Sequence, residues 1–423
     1  MIGAREAALL TLYEIFENSA YSNLALKERM TKCKGMTASE KALLTNLVYG
    51  VVSRHYTLIH IIGKYSSIKL KKLADYVRII LEIGLYQLLY TDKIPESAAV
   101  NESVKLAKRY GRKGSDRFVN AVLRSFCRDG CRITYPENTE QYLSVKYSYS
   151  TNMVKLFIGT FERVRAEKIM ASLNEPAPLT LRANLLKCST PQLISELQER
   201  GIKAESCEGS LVYSDGFDIA ESDLYKNGYF SVQDRAAYNA AITLAPQPGE
   251  TVIDMCAAPG GKSTHIAELM NNEGHIISCD IHEHKIKLIT GSARRLGIDI
   301  IDARINDGTI EDSELIGAAD RVLCDVPCSG LGIIRRKPDI KLDRTDIDEL
   351  PKLQIKILKN GAKYVKSGGT LVYSTCTLNS RENGDVISAF LADNGNFKKQ
   401  YEKTYCPDTD NSDGFYICKL VKI

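Results

Sequence analysis

No stretch of the 423-residue sequence approaches the ~20 consecutive apolar residues that a membrane-spanning helix needs. The greasiest run, RIILEIGLYQLLY from Arg78 to Tyr90, is interrupted by Glu82 and reads as a buried core helix. No Cys-x-x-Cys pair occurs among the 12 cysteines. The six histidines offer one close pair, His282 and His284, with no thiolates spaced to match. A disulfide scaffold and a structural zinc site are therefore not expected, no metal is assigned, and the thiols read as reduced. Proline is scarce, at 12 against 29 glycines, and the 44% hydrophobic and 26% charged fractions are those of a globular chain rather than a disordered or fibrous one. The opening MIGAREAALLTLYEIFE mixes acidic and basic residues and lacks the order of charged start, apolar centre and small-residue cleavage site. A cytoplasmic protein without membrane association is expected.

Charge is uneven. Residues 1–130 contain 21 Lys or Arg and 12 Asp or Glu, a net of 21 − 12 = +9, so the remainder of the chain, with 35 and 40, carries 35 − 40 = −5. An anion-binding front module joined to a more acidic one fits this asymmetry, as does a lysine-rich solvated face. The clusters KLKKLADYVR (Lys69 to Arg78) and KLAKRYGRKGSDR (Lys105 to Arg117) would neutralise phosphates without reading sequence, which favours nucleic acid as the partner.

Along the chain, apolar residues recur at helical spacing from Ala4 to Phe126, predicting an all-helical domain over 1–130. Gly130 and Pro136 mark a break, and residues 131–235 read as linker helices followed by a small α+β subdomain with strands at LVYSD and GYFSVQD. From 236 to 423 the chain alternates apolar runs ending near Asp with helical stretches: TVIDM, HIISCDI, RVLCDVP and TLVYSTC, with a helix expected from about Asp346 to Val365. Alternating strands and helices imply a parallel, doubly wound α/β sheet of Rossmann-like type.

In such a sheet ligands lie beyond the carboxyl ends of the strands. After TVIDM comes Cys256-Ala257-Ala258-Pro259-Gly260-Gly261-Lys262, and a helix opens at Ser263, so backbone N–H groups face whatever binds. A phosphate-binding P-loop would need glycine where Cys256 stands, and no G-x-G-x-x-G is present. A ligand with an amino-acid carboxylate, a ribose and a base but no phosphate remains, a description that S-adenosylmethionine fits. Asp280, ending the second strand, suits ribose hydroxyls or helix capping. Asp307, in RINDG, suits the adenine amine or an ordinary turn. The fourth strand ends at Asp325, Pro327 and Cys328, and the fifth at Cys376, which points two thiols toward one cleft. Cys279 and Cys324 fall inside apolar strands and read as core.

A carboxylate, two thiols and a methyl donor suggest a reaction. Carbon C5 of a pyrimidine is a poor nucleophile until a thiolate adds at C6. After methylation C5 must lose its proton so that the cysteine can leave, a step for a second thiol or base, and a hydrogen bond at N3 from Asp325 would stabilise the adduct. Chemistry alone leaves Cys328 and Cys376 both eligible as nucleophile.

In their order, CAAPGGK, Asp280, Asp307, DVPCSGLG with IRRKPDIK, and YSTCTLNSREN resemble the motifs of the bacterial RNA cytosine-5 methyltransferase family, in particular members acting on 16S ribosomal RNA. FSVQDRAA, with Gln233 and Asp234, resembles the segment entering that family's core. LVYGVVSR, LYQLLY, PESAAVNESVKLAK and FVNAVLR are similar to the helical antitermination factor NusB, an RNA-binding fold. The resemblance implies that Cys376 is the nucleophile, that Cys328 assists release, and that Cys256 to Lys262, Asp280, Asp307 and Asp325 line a site for S-adenosylmethionine. It implies 16S ribosomal RNA as the partner, with no obligate protein partner evident and a monomer expected. One departure is LDRTDIDEL after RRKPDIK, which lacks the aromatic expected there; the chain has no tryptophan.

Overall fold

The computed structural model describes residues 2–343 and 346–423; Met1 and, within LDRTDIDEL, Arg344 and Thr345 lie outside the described residues. The chain separates into two compact units. The first runs to Asn174 and also holds the segment from Ile334 to Asp343; the second holds Glu175–Ile333 and the chain from Asp346 onward.

The first unit is helical: α1 (Ala4–Glu17), α2 (Ser22–Lys32), α3 (Ala38–Tyr65), α4 (Asp75–Tyr90), α5 (Glu96–Tyr110), α6 (Ser115–Arg128), α7 (Thr139–Tyr147) and α8 (Thr151–Ser172). The start of α3 is fixed by a capping box, in which the Thr37 hydroxyl accepts the Glu40 N–H and the Glu40 carboxylate accepts the Thr37 N–H. Helix α4 carries the greasy run and is buried along most of its length, its Ile79, Ile80 and Ile83 packed with Leu44, Val48, Val51, Leu123 and Phe126. Glu82 is buried within it and survives there because Arg78, at 2.5 Å, and His55, at 2.8 Å, hold its carboxylate. Gly50 on α3 is required by close approach, since a Cβ would stand 2.0 Å from the Tyr86 ring of α4.

The segment from Ile334 to Asp343 is locked into this unit by one side chain. Lys341 is fully buried, and its Nζ donates to the Ser53 carbonyl of α3 at 3.0 Å, the Tyr147 carbonyl at the end of α7 at 3.1 Å and Asn174 Oδ1 at 2.5 Å. It also lies 4.2 Å from the centre of the Tyr149 ring. Burial, and then Arg54, push its pKa well below the ordinary lysine value, and the three acceptors replace the water that its buried amine loses.

The second unit begins with a four-stranded antiparallel sheet in the order β2-β3-β1-β4, built from β1 (Leu179–Ala183), β2 (Ala204–Glu208), β3 (Leu211–Ser214) and β4 (Phe230–Val232), with α9 (Thr190–Glu199) and the short α10 (Asp223–Lys226). A seven-stranded sheet follows, in the order β10-β11-β9-β8-β5-β6-β7. Strands β5 (Thr251–Asp254), β6 (His275–Asp280), β7 (Ile301–Ile305), β8 (Ala319–Asp325) and β9 (Val365–Thr375) are parallel, the Rossmann-like arrangement expected. Its helices are α11 (Arg235–Leu244), α12 (Gly261–Leu269), α13 (Glu283–Leu296), α14 (Leu350–Tyr364) and α15 (Gly384–Asp393).

Both faces of this sheet are covered. Val252, Ile276, Leu323, Val372 and Ile417 pack against α11, α12 and α13, while the alternate residues Ile253, Ile277, Val322, Cys324 and Tyr373 pack against α14 and α15. Cys279 and Cys324 are core residues on that second face. Two readings are corrected. The sheet is not wholly parallel, because β10 (Phe397–Tyr405) and β11 (Phe415–Lys422) add an antiparallel hairpin at the β9 edge. Helix α14 begins at Leu350 rather than Asp346, with Pro351 in its first turn, where a missing N–H costs nothing.

Candidate active site

Strand order reverses between β5 and β8, whose carboxyl ends open a crevice at the switch point. The loop Cys256 to Lys262 leaves β5 there. Its path is set by the Met255 N–H donating to the Leu323 carbonyl at 2.9 Å and the Ala257 N–H donating to the Cys279 carbonyl at 2.7 Å, which tie it to β8 and β6. The Ala258–Pro259 bond is cis. Gly260 adopts φ +101°, and a Cβ there would sit 3.1 Å from the Cα of Ile289, so glycine serves both backbone and packing. Gly261 opens α12, and no side chain caps that end, which leaves its first N–H groups for an anionic ligand group.

Beneath the loop Asp254 is almost wholly buried and accepts from the Ser263 hydroxyl at 2.7 Å, while its other oxygen has no partner. Burial pushes its carboxyl up to about 7, against the pull of Ser263. Half-buried Asn306, beside Asp307, also has a shielded, unpartnered side-chain oxygen. Orphaned acceptors near the ends of two ligand-facing strands fit a site built for hydroxyl and amine donors. Asp280 is buried at the end of β6, accepting the His282 N–H at 3.1 Å, with the Lys285 ammonium 3.4 Å away. Asp307 accepts both the N–H and the hydroxyl of Thr309, at 2.9 and 2.7 Å, and these bonds hold its carboxyl below the ordinary aspartate range. These are the contacts of the turn reading of Asn306-Asp307-Gly308. Burial first, then nearby Cys324 and acidic groups, push the Cys256 thiol well above its usual value, which disfavours its thiolate.

Lys262, expected in the cofactor loop, turns its ammonium to Asp325, with Nζ 2.6 Å from Oδ2. The other Asp325 oxygen accepts the Ser374 hydroxyl at 2.7 Å. Burial works against the Lys262 charge, but Asp325, with help from Asp254 and Cys376, holds the ammonium above the ordinary lysine value. The two rim thiols meet: Cys328 Sγ and Cys376 Sγ are 3.0 Å apart, and the Cys376 N–H donates to Cys328 Sγ at 3.3 Å. The contact follows from the register, since parallel β8 and β9 pair Asp325 with Ser374 and each thiol lies two or three residues beyond. The Cys328 thiol is pushed well above its usual value by its hydrogen bond to Cys376, then by burial and the charges of Cys376 and Glu382.

Sequence reasoning missed two groups around this crevice. Arg182 on β1 is wholly buried; it donates to both oxygens of Glu268 at 2.8 Å, to the Gly261 carbonyl at 2.9 Å and to Thr264 at 3.1 Å, and it also bonds Gln233. A lone arginine inside the apolar strand LTLRA is the signal that would have found it. The second group, centred on Glu382 in SREN, carries no such signal, because a glutamate in a polar loop segment is ordinarily exposed.

Comparisons with known proteins bear on the same regions. Residues 241–421 match the family described as 16S rRNA methyltransferase RsmB/F, residues 3–128 the NusB family, and residues 153–215 the ferredoxin-like domain of RsmF/B-like methyltransferases. The probable ribosomal RNA small subunit methyltransferase B of Bacillus subtilis is 38% identical, with 99% of this chain and 98% of that protein covered. The ribosomal RNA small subunit methyltransferase B of Shewanella oneidensis is 34% identical over 99% of each. Among solved structures, PH0851 matches with a TM-score of 0.82 and 26% identity, covering 98% of this chain and 97% of that one. NSun6 from Pyrococcus horikoshii, solved with SFG, matches in fold with a TM-score of 0.59 and 23% identity over 64% of this chain and 97% of that one.

Proposed function

This chain belongs to the RsmB/F family of 16S ribosomal RNA methyltransferases, and on that basis we propose that it methylates C5 of a cytosine in 16S ribosomal RNA through a covalent bond from Cys376 to C6. The observation that carries the reading is the pair of thiols 3.0 Å apart beside the Lys262–Asp325 ion pair. Bound in the crevice, S-adenosylmethionine supplies a methyl group on a sulfonium, an electrophile that needs no metal.

The chain's own groups then divide the work. Cys376, whose charge acts on the neighbouring Lys262 ammonium, attacks C6 and gives up its thiol proton as the C6–S bond forms. Asp325, kept beside the Lys262 ammonium, relays the proton released by the Cys376 thiol to N3, so that the ring can accept electrons as the C6–S bond forms. The hydrogen bond and charge of Cys376 hold the Cys328 thiol up; conversion of Cys376 to a thioether removes both, so that Cys328 gives its thiol proton to solvent and takes the C5 proton. Elimination of Cys376 then releases the product. Within this reading residues 236–423 carry the chemistry, Arg182 from the 131–235 segment supports the cofactor loop through the Gly261 carbonyl, and 1–130 grip the RNA backbone.

The deciding experiment supplies purified protein and labelled cofactor with RNA, DNA and protein in parallel, followed by bisulfite mapping of 16S RNA from cells with and without the gene. Label appearing as 5-methylcytosine in RNA is expected; label only in DNA or protein, or none, would end the reading. Asp280→Ala is expected to weaken cofactor binding by roughly 1–3 kcal/mol, since a buried hydroxyl pair loses its acceptor, and calorimetry on the cofactor alone reads it. Unchanged affinity would remove the ribose assignment. Lys69, Lys71 and Lys72 are exposed, and changing all three to glutamine should flatten the slope of log affinity for RNA against log salt by about 2. An unaltered slope would mark that lysine cluster as a solvated face only.

A further inference from the structure

Glu382 has no exposed surface, and no cation pairs with it among the described residues. A buried carboxylate in that position persists only if neutral donors replace its water. Here they do. One oxygen accepts the Ser329 N–H at 2.8 Å and the Gln354 side-chain amide at 3.0 Å. The other accepts the Ser329 hydroxyl at 2.5 Å, the Asn379 amide at 3.0 Å and, more weakly, the Thr377 hydroxyl at 3.4 Å. Ser329 and Thr377, each the residue immediately after one of the two thiols, are themselves hydrogen-bonded through their hydroxyls at 2.7 Å. Gln354 in addition donates to the Pro327 carbonyl at 2.9 Å, just before Cys328. The next residue repeats the pattern: Asn383 accepts from the Thr375 hydroxyl at 2.5 Å and donates to the Thr377 carbonyl at 3.0 Å, on either side of Cys376.

Two loops from separate strands, each bearing a thiol, therefore converge on one carboxylate. An apolar residue of similar size would fill the space but leave the Ser329 N–H, the Asn379 amide and one Gln354 donor competing for no acceptor. We propose that Glu382 is a positioning residue for the two-thiol site, its carboxylate clamping the loop after β8 to the loop after β9 so that Cys328 and Cys376 address the same pyrimidine. The proposal rests on the two-thiol reading given above, and its test separates the two.

The direct probe is phenylarsine oxide, which bridges two thiols held close together, forming two As–S bonds and releasing one water. In the full-length protein it should bridge Cys328 and Cys376, as read by the mass of the linked peptides, and Cys328→Ala should remove that product. Glu382→Ala should slow bridging and single-turnover methyl transfer by about 100-fold, while cofactor affinity stays within about 3-fold of the parent, because a misplacement of about an ångström costs that much in rate. Glu382→Gln keeps an oxygen for the Ser329 N–H and should recover to within about 10-fold of the parent. If Glu382→Ala does not fold, as judged by lost cofactor binding, Glu382→Gln alone decides, with a measurable loss in both rates expected. Bridging and transfer at the parent rate in the folded variant would overturn the proposal. Bridging that depends on Glu382 in a protein that makes no 5-methylcytosine would keep the clamp and discard the cytosine reading.

Discussion

A Cys376→Ala enzyme is expected to form no covalent complex with RNA and to lose methyl transfer by on the order of 10⁴-fold or more, because without addition at C6 the C5 carbon is not a nucleophile. Cys328→Ala is expected to differ in kind. It should add to the ring and methylate once, then stall as an enzyme–RNA adduct that survives denaturing electrophoresis, since the C5 proton has lost its base. The two thiols are 3.0 Å apart, so position alone does not separate their roles. Cys328 is pushed far up by its hydrogen bond to Cys376, by burial and by the charges of Cys376 and Glu382, which makes it the poorer initial nucleophile. Adduct accumulating in Cys376→Ala and absent from Cys328→Ala would reverse the assignment.

The second large effect lies under the cofactor loop. Arg182→Met should destabilise the second unit by about 3–5 kcal/mol, because it strands the Glu268 carboxylate, whose side chain is 2% exposed, without its cation. Burial already pushes the Glu268 carboxyl up against the pull of Arg182, so the lone acid would take a proton rather than remain charged. The urea midpoint followed by circular dichroism reads the loss, and cofactor affinity should fall with it, since Arg182 also holds the Gly261 carbonyl. Pairing Arg182→Met with Glu268→Leu should restore most of the stability, because an apolar pair of similar volume replaces a buried ion pair at little cost. A single variant as stable as the parent would show that the pair is idle.

What could be read from the sequence follows from physical range. The ends of β5, β6, β8 and β9 were legible because each apolar run is punctuated by a polar residue at the rim, and a strand end is a local property. The parallel core follows from the same alternation. The hairpin β10–β11 was not legible, because KKQYEKTY alternates polar with polar and only its pairing with β11 makes it a strand. Arg182 and Glu268 are 86 residues apart, and Glu382 meets Ser329 across 53. No periodicity encodes such pairs. The motif IRRKPDIK was legible as a motif, yet nothing local says that Lys341 belongs with the helices.

That lysine has a consequence for synthesis. Its acceptors on Ser53, Tyr147 and Asn174 are all made early, the last of them 167 residues before Lys341 itself. At ~5–20 residues per second a ribosome needs roughly 8–33 s to cover that distance. Throughout that interval the helical unit waits with three acceptors and an aromatic face turned toward a partner not yet translated. The N-terminal unit is therefore begun first but completed only after residues 175–333 of the second unit have been made, and transplanting it onto another enzyme without residues 334–343 would carry over a receptor and leave its ligand behind.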